Sequence, residues 1–311
     1  MIAVLCGGVG GSRFLRALAS VIEPERITAI VNTGDDDWFH GLYVSPDPDI
    51  VTYALAGEVD EERGWGLRGD TFRWLESLRR FGHETWFQIG DRDLATHLHR
   101  TRLIHEGWPL SLIAADIAGA FGVRSRVLPM SDDRVRTIVE TAAGDLPFQE
   151  YLVKRHAKDA VRRVRFEGAD AARPAPGVLD VIESAEALLI APSNPVASIG
   201  PILAVPGVLA ATRGLIVSRV AVSPIVAGAS LQPPAAEMMA GLGHNVDAVG
   251  VAKIYAGGVI DALVVDDADA DLAPQVTAVG LRAIVAATVM RDERTRVALA
   301  RTVLQAAGIS L

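Results

Sequence analysis

The sequence predicts an α/β fold of the Rossmann-like, doubly wound kind, a mainly parallel sheet with a smaller antiparallel or helical insertion. Three observations lead there. Short runs such as residues 2–5, apolar throughout, and 27–31, rich in β-branched residues, read as strands of a parallel sheet. Helical patterns alternate with such runs along most of the chain. The runs after Leu5, Val31 and Ile190 end in polar loops bearing glycine or proline, and open α/β sheets bind ligands outside the carboxyl ends of their strands.

Element by element, residues 2–5 form a strand that runs into Gly7-Gly8-Val9-Gly10-Gly11. From Ser12 a helical pattern begins, with Phe14, Leu15 and Leu18 on one face, and Pro24 breaks it. Residues 27–31 are a second strand, ending in Asn32-Thr33-Gly34-Asp35-Asp36-Asp37. This is a β-α-β unit, so the crossover is right-handed and the sheet parallel. Residues 70–80 and 94–105 read as helices, the second introduced by Gly90-Asp91-Arg92-Asp93. Residues 136–141 and 149–153 flank Ala142-Ala143-Gly144-Asp145 and suggest a hairpin inside an insertion at about 124–175. Residues 188–191 lead to Pro192-Ser193-Asn194-Pro195, and 220–222 lead to Ser223-Pro224. A helix over 234–242, a strand over 262–265 and a closing helix over 292–307 follow. Without repeats or low-complexity tails, residues 1–311 read as a single domain carrying that insertion.

Composition narrows the function. The 30 basic and 38 acidic side chains give a net charge of −8, which argues against a nucleic-acid partner. Half the residues are apolar and 22% charged, which excludes a disordered chain. The single cysteine, Cys6, forbids an intrachain disulfide and any multi-cysteine metal site, and in its apolar run it reads as a small hydrophobe. The opening lacks the basic start of a signal peptide. Residues 187–212 carry no charge and are long enough to span a bilayer. Pro192, Pro195, Pro201 and Pro206 break the backbone hydrogen bonds that a lipid-exposed helix requires. A soluble, cytoplasmic protein without a membrane partner is expected.

The groups suited to chemistry cluster at the polar loops. A glycine turn opening a helix offers backbone N–H groups to an anion, and Arg13 adds a charge. Two familiar motifs fail: Ser12, Arg13 and Phe14 stand where a Walker A loop has Gly-Lys-Ser/Thr, and Arg13 replaces the third glycine of a dinucleotide fingerprint. A plain tight turn fits the same glycines. Asp35, Asp36, Asp37, Asp47 and Asp49 place five carboxylates within residues 35–49. They repel one another unless a cation sits among them, and Mg²⁺ is held by one or two carboxylates plus substrate phosphates. A solvated charge run, or helix capping by Ser45 or Asp47, accounts for the same residues without a metal. His97 and His99 stand two apart, a poor spacing for a shared metal on a helix. Ser131-Asp132-Asp133 and Ser193-Asn194-Pro195 suit a base or ribose, or ordinary turns. No Gly-x-Ser-x-Gly elbow is present, and nothing singles out Lys154, Lys158 or Lys253 for Schiff-base chemistry.

Six blocks, taken in order, resemble the 2-phospho-L-lactate transferase family (CofD, called FbiA in actinobacteria). They are Gly7-Gly8-Val9-Gly10-Gly11-Ser12-Arg13-Phe14, Val31-Asn32-Thr33-Gly34-Asp35-Asp36, Ser45-Pro46-Asp47-Pro48-Asp49, Gly90-Asp91-Arg92-Asp93-Leu94-Ala95-Thr96-His97, Leu128-Pro129-Met130-Ser131-Asp132-Asp133 and Pro192-Ser193-Asn194-Pro195-Val196-Ala197-Ser198-Ile199-Gly200-Pro201. The resemblance implies a step of coenzyme F-420 biosynthesis. A GDP-linked three-carbon acid gives its phospho-acid to the ribitol hydroxyl of the deazaflavin Fo, and GMP leaves in the presence of Mg²⁺. The donor carries lactate in the archaeal branch and enolpyruvate in the actinobacterial one. The glycine block and Arg63-Gly64-Trp65-Gly66 look more like the latter.

Carried onto this chain, the resemblance puts Gly7, Gly8, Gly10, Gly11 and Ser12 against the donor's phosphates. Asp36 and Asp47 lead the metal site and the catalytic pair, with Asp35 and Asp49 next, and Asp47 comes before Asp36 as proton acceptor. Ser193 and Asn194 hold the guanosine. Asp91, Asp93, Thr96 and His97, with Trp38 and His40, receive the deazaflavin, while Asp37 has no assigned role. A homodimer is favoured by base rates alone. Two rivals are a nucleotide-sugar-binding regulatory protein of the same superfamily and a nicotinamide-dependent dehydrogenase, the latter weakened by the missing third glycine.

Overall fold

Ile2–Cys6 (β1) has no exposed residue, because it lies at the centre of a sheet covered on both faces. Its side chains alternate: Ala3 and Leu5 enter one core layer, while Ile2, Val4 and Cys6 enter the other. The structure is a computed structural model and describes residues 1–310. Around β1 stand Ile27–Val31 (β2), Arg126–Pro129 (β3), Ala187–Ile190 (β4), Arg219–Val222 (β5), Ala262–Val265 (β6) and Arg282–Val285 (β7). All seven are parallel, in the order β7-β6-β5-β4-β1-β2-β3. The fold class predicted from the sequence is the one formed.

Register decides where the loops meet. Ile2 pairs with Ile27 on one side and with Ala187 on the other, so β1, β2 and β4 end at the same level. The chain moves outward from β1 to β3, then returns to lay β4 on the opposite side of β1. A crevice opens at such a switch point because neighbouring loops leave in opposite directions. Here those loops are the glycine turn and Pro192-Ser193-Asn194-Pro195.

The insertion is a three-stranded antiparallel sheet in the order Gly144–Pro147, Arg136–Thr141, Val161–Glu167. The expected pairing of 136–141 with 149–153 is not the one formed. Thr141 pairs with Gly144 across a two-residue turn, so the partner strand begins at once. Glu150–Lys154 becomes a single π-helical turn that buries Tyr151. Arg126–Pro129, inside the expected insertion span, is instead the edge strand β3. The uncharged stretch 187–212 divides into β4, helix Ile199–Ala204 and the start of helix Val208–Gly214. Among the described residues no helix is long and apolar enough to cross a membrane. Helix Gly8–Val21 (α1) starts within the glycine turn, helix Pro46–Leu55 (α2) carries Asp47 and Asp49 in its first turn, and Glu293–Ala306 closes the chain behind an Asp292–Thr295 capping box.

Candidate functional site

A cavity of about 1030 Å³ lies beyond the ends of β1, β2 and β4, at the top of the range for small-molecule sites. The glycine turn forms one wall. Gly8 has φ +67°, a left-handed conformation, while a Cβ at Gly7 would lie 2.3 Å from Asp47 Oδ2 and one at Gly10 2.3 Å from the Pro192 carbonyl. The turn is therefore glycine-rich because other groups approach its backbone closely. Ser193 Oγ accepts from Gly7 N–H (3.1 Å) and donates to Gly7 C=O (2.7 Å), fastening the two switch-point loops together. Gly8 N–H donates to Asp47 Oδ1 at 2.8 Å. Val9 and Gly10, in the first turn of α1, also line the cavity, and their N–H groups have no intrahelical acceptor.

Gly11 and Ser12, assigned to the phosphates by resemblance, do not line the cavity. Gly11 packs against Ser193, where a Cβ would meet Oγ at 2.7 Å, and Ser12 Oγ donates to the Val9 carbonyl within its own helix. Asn194 lines the cavity, but its side-chain oxygen accepts from the N–H groups of Val196 and Ala197.

The acidic residues divide in two. Asp47 faces the cavity, accepting from Gly8 and from Asn32 Nδ2 at 2.9 Å. Burial pushes its carboxyl up to about 6, against the pull of those two hydrogen bonds. Asp35 also faces the cavity. One of its oxygens is buried without a partner, and burial, followed by the charge of Asp47, raises its carboxyl well above the usual range. Asp36 turns away behind the wall, where Ser45 Oγ donates to it and Arg100 lies near enough to draw its raised carboxyl back down. Asp36, given a leading metal-site place by resemblance, does not line the cavity, whereas Asp35 does. Asp49 reaches the cavity but is paired with Arg100, a guanidinium only 2% exposed. Asp37 lies outside, bridging Arg134 and Arg136 at 2.8 Å each. Ser45 occupies the N-cap position of α2, yet its hydroxyl goes to Asp36 rather than to the helix.

Two of the six residues expected at the deazaflavin line the cavity. His97 Nε2 lies 3.2 Å from Asp93 Oδ2, Arg100 Nη1 lies 3.1 Å from His97 Nδ1, and Tyr53 OH donates to Asp93 at 2.6 Å. His97 and Asp93 face the cavity, whereas Thr96 is buried and does not. Though buried, Asp93 is held below the usual carboxylate range by His97, Tyr53 and Arg100. Asp91 caps the helix Arg73–Arg79, accepting from Arg73 and Trp74 N–H at 3.2 and 3.0 Å. Trp38 stacks on His105 at the surface, and His40 Nε2 lies 2.8 Å from the Phe87 carbonyl, so neither lines the cavity. Sequence reasoning missed Trp86, Phe87 and Arg296, which do line it. The adjacent aromatic pair, in a chain only 5% aromatic, was the available signal. Arg296 carried none. Among the described residues no group of three or more His, Cys, Asp and Glu is arranged to hold a metal ion.

The fold and its cavity define a Rossmann-like α/β protein whose candidate ligand site lies at the switch point of a parallel sheet. The model of the family 2-phospho-L-lactate transferase CofD matches residues 2–303, and the chain belongs to that family. It is 43% identical to a phosphoenolpyruvate transferase of Streptomyces griseus, over 98% of both chains. It is 42% identical to a 2-phospho-L-lactate transferase of Methanothermobacter thermautotrophicus, over 98% of this chain and 97% of that one. A crystal structure of a UPF0052 family member from Bacillus halodurans shares the fold, with a TM-score of 0.69 at 18% identity over 97% of this chain and 98% of the other. The protein is accordingly a transferase of the 2-phospho-L-lactate or phosphoenolpyruvate type.

Proposed function

We propose that the protein moves a phospho-enolpyruvyl or phospho-lactyl group from a GDP-linked three-carbon acid to the ribitol hydroxyl of the deazaflavin Fo. GMP is released, a step of coenzyme F-420 biosynthesis. One observation carries the reading: Asp35 and Asp47 are buried near each other on the cavity wall with no protein cation among the groups acting on them, Asp47 directly against the start of α1. Two buried carboxylates without a counter-charge fit Mg²⁺, which needs only one or two from the protein when phosphates complete its shell. Asp35 and Asp47 would hold the ion, and when bound it supplies charge neutralisation at phosphoryl oxygens.

The chain's own groups account for the rest. The Val9 and Gly10 N–H groups at the helix N-terminus suit the donor's diphosphate. The ribitol oxygen attacks the acid-side phosphorus in line; the new O–P bond forms as the bond to the GMP oxygen breaks. The hydroxyl proton goes to a carboxylate, and Asp47, which lines the cavity where Asp36 does not, is the first choice. Trp65, Trp86 and Phe87 give the cavity flat apolar surface for a tricyclic ring. The enolpyruvyl donor is preferred on the glycine block and Arg63-Gly64-Trp65-Gly66, since relatives of both kinds are almost equally identical.

Incubating the protein with Fo, Mg²⁺ and each donor, and following GMP by chromatography and the product by mass, tests this. GMP and a phospho-acid adduct of Fo are expected, faster with the enolpyruvyl donor. No GMP from either donor, with a nucleotide sugar bound tightly instead, would replace the enzyme by a regulatory binding protein.

A further inference from the structure

The acidic wall has a basic counterpart at another part of the same cavity. Arg13 lies four residues beyond Val9 on α1, hence on the same helix face. It lines the cavity and, among the described residues, makes no ion pair. Arg296, from the closing helix, lines it too; its side chain is 14% exposed and its buried Nε has no partner. Its Nη2 donates to Glu61 Oε2 at 2.7 Å, and Glu61 also takes Arg16 Nη1. Arg13, Arg16, Arg296 and Glu61 all border one small cleft beside Val9. Arg16 and Arg296 thus share the Glu61 carboxylate, and among the described residues Arg13 has no carboxylate partner.

We propose that Arg13 and Arg296 form an anion subsite for the donor, with Glu61 as the internal competitor for Arg296. The inference rests on the proposed function and adds to it the residues that read the donor's charge. A guanidinium with free N–H groups in a half-enclosed cavity suits a carboxylate or phosphate, which accepts two parallel hydrogen bonds. The donor offers both, the diphosphate and the carboxylate of its three-carbon acid. Position along α1 allows either, since Arg13 follows directly on the N–H groups of the glycine turn.

Calorimetric titration of the full chain with GDP and with lactyl-diphosphoguanosine, each with Mg²⁺, separates the two. Arg13→Met is expected to weaken donor binding by about tenfold or more, with Arg13→Lys keeping part of it. Equal weakening for GDP makes the anion the diphosphate, whereas unchanged GDP binding makes it the acid's carboxylate. Glu61→Gln, which releases Arg296, is expected to tighten donor binding severalfold; a thermal melt checks that the variant is folded. Unchanged affinity for both ligands in Arg13→Met and Arg296→Met overturns the subsite. Failure of the underlying reading looks different: the unaltered protein then yields no GMP with Fo.

Discussion

Asp35 and Asp36 are neighbours in the chain, and Asp47 and Asp49 stand two apart, yet each pair is split between two electrostatic settings. Asp36 and Asp49 have Arg100 as an internal cation, and it draws both raised carboxyls back down. Asp35 and Asp47 have hydrogen bonds from Asn32 and Gly8 but no cation. All four are buried, and burying a charge without a partner is costly. The protein supplies the counter-charge for one pair and leaves the other to whatever enters the cavity. Asp49 and Arg100 tie the helix Asp93–His105 to α2, whereas Asp35 and Asp47 are the pair proposed to hold the ion.

Exchanging one member of each pair tests that division most severely. Asp47→Asn is expected to lower turnover with Fo by about a thousandfold, in the range of a lost general base, with donor binding falling less. Equal losses in both would instead limit Asp47 to holding the ion that the donor requires, without a part in proton transfer. Asp36→Asn keeps an oxygen for Ser45 and is expected to cost less than about tenfold. Matching losses in the two variants would erase the distinction.

Arg100 sharpens the comparison from the other side. Arg100→Met leaves Asp49 buried and unpaired, so unfolding in urea should show a loss of about 3–5 kcal/mol. The double variant Arg100→Met with Asp49→Leu should recover much of it. A double variant no more stable than the single one would mean that the pair does not act as a unit.

The smallest effect is expected from pH. The raised carboxyl of Asp47, about 6, exceeds the unfolded value of about 3.9. The folded protein therefore binds more protons between those values, and metal-free stability from this group falls as pH rises through that window. The difference amounts to about 3 kcal/mol, and Asp35, raised in the same direction, adds to it. Melting temperatures compared with Asp47→Asn isolate the effect. Mg²⁺ should raise the melting temperature more at pH 8 than at pH 5; equal gains would argue against a cation between Asp35 and Asp47.

Much of this was legible beforehand, for identifiable reasons. Residues 2–5 are apolar throughout, and 27–31 apolar but for Thr28, because both faces of β1 and β2 are covered, so pattern alone located them. The glycine turn was legible because close approach by Asp47 and Pro192 excludes side chains there. What was not legible was orientation. Nothing in Asp35-Asp36 says which carboxylate turns inward, because Ser45, across the next loop, and Arg100, on a later helix, decide it. Asp91 read as a binding residue, yet it caps a helix that precedes it by eighteen residues.

The order of strands and helices, the glycine-lined entry to α1 and the supply of carboxylates were determined by the sequence itself, since each rests on local periodicity or on the chemistry of adjacent residues. Only the tertiary structure decided which carboxylates share a cation, which face the cavity without one, and that Arg296 from the last helix stands near Arg13 from the first. Those outcomes depend on where parallel strands in register bring distant loops, and the charge that a group meets across space is not written in its neighbours along the chain.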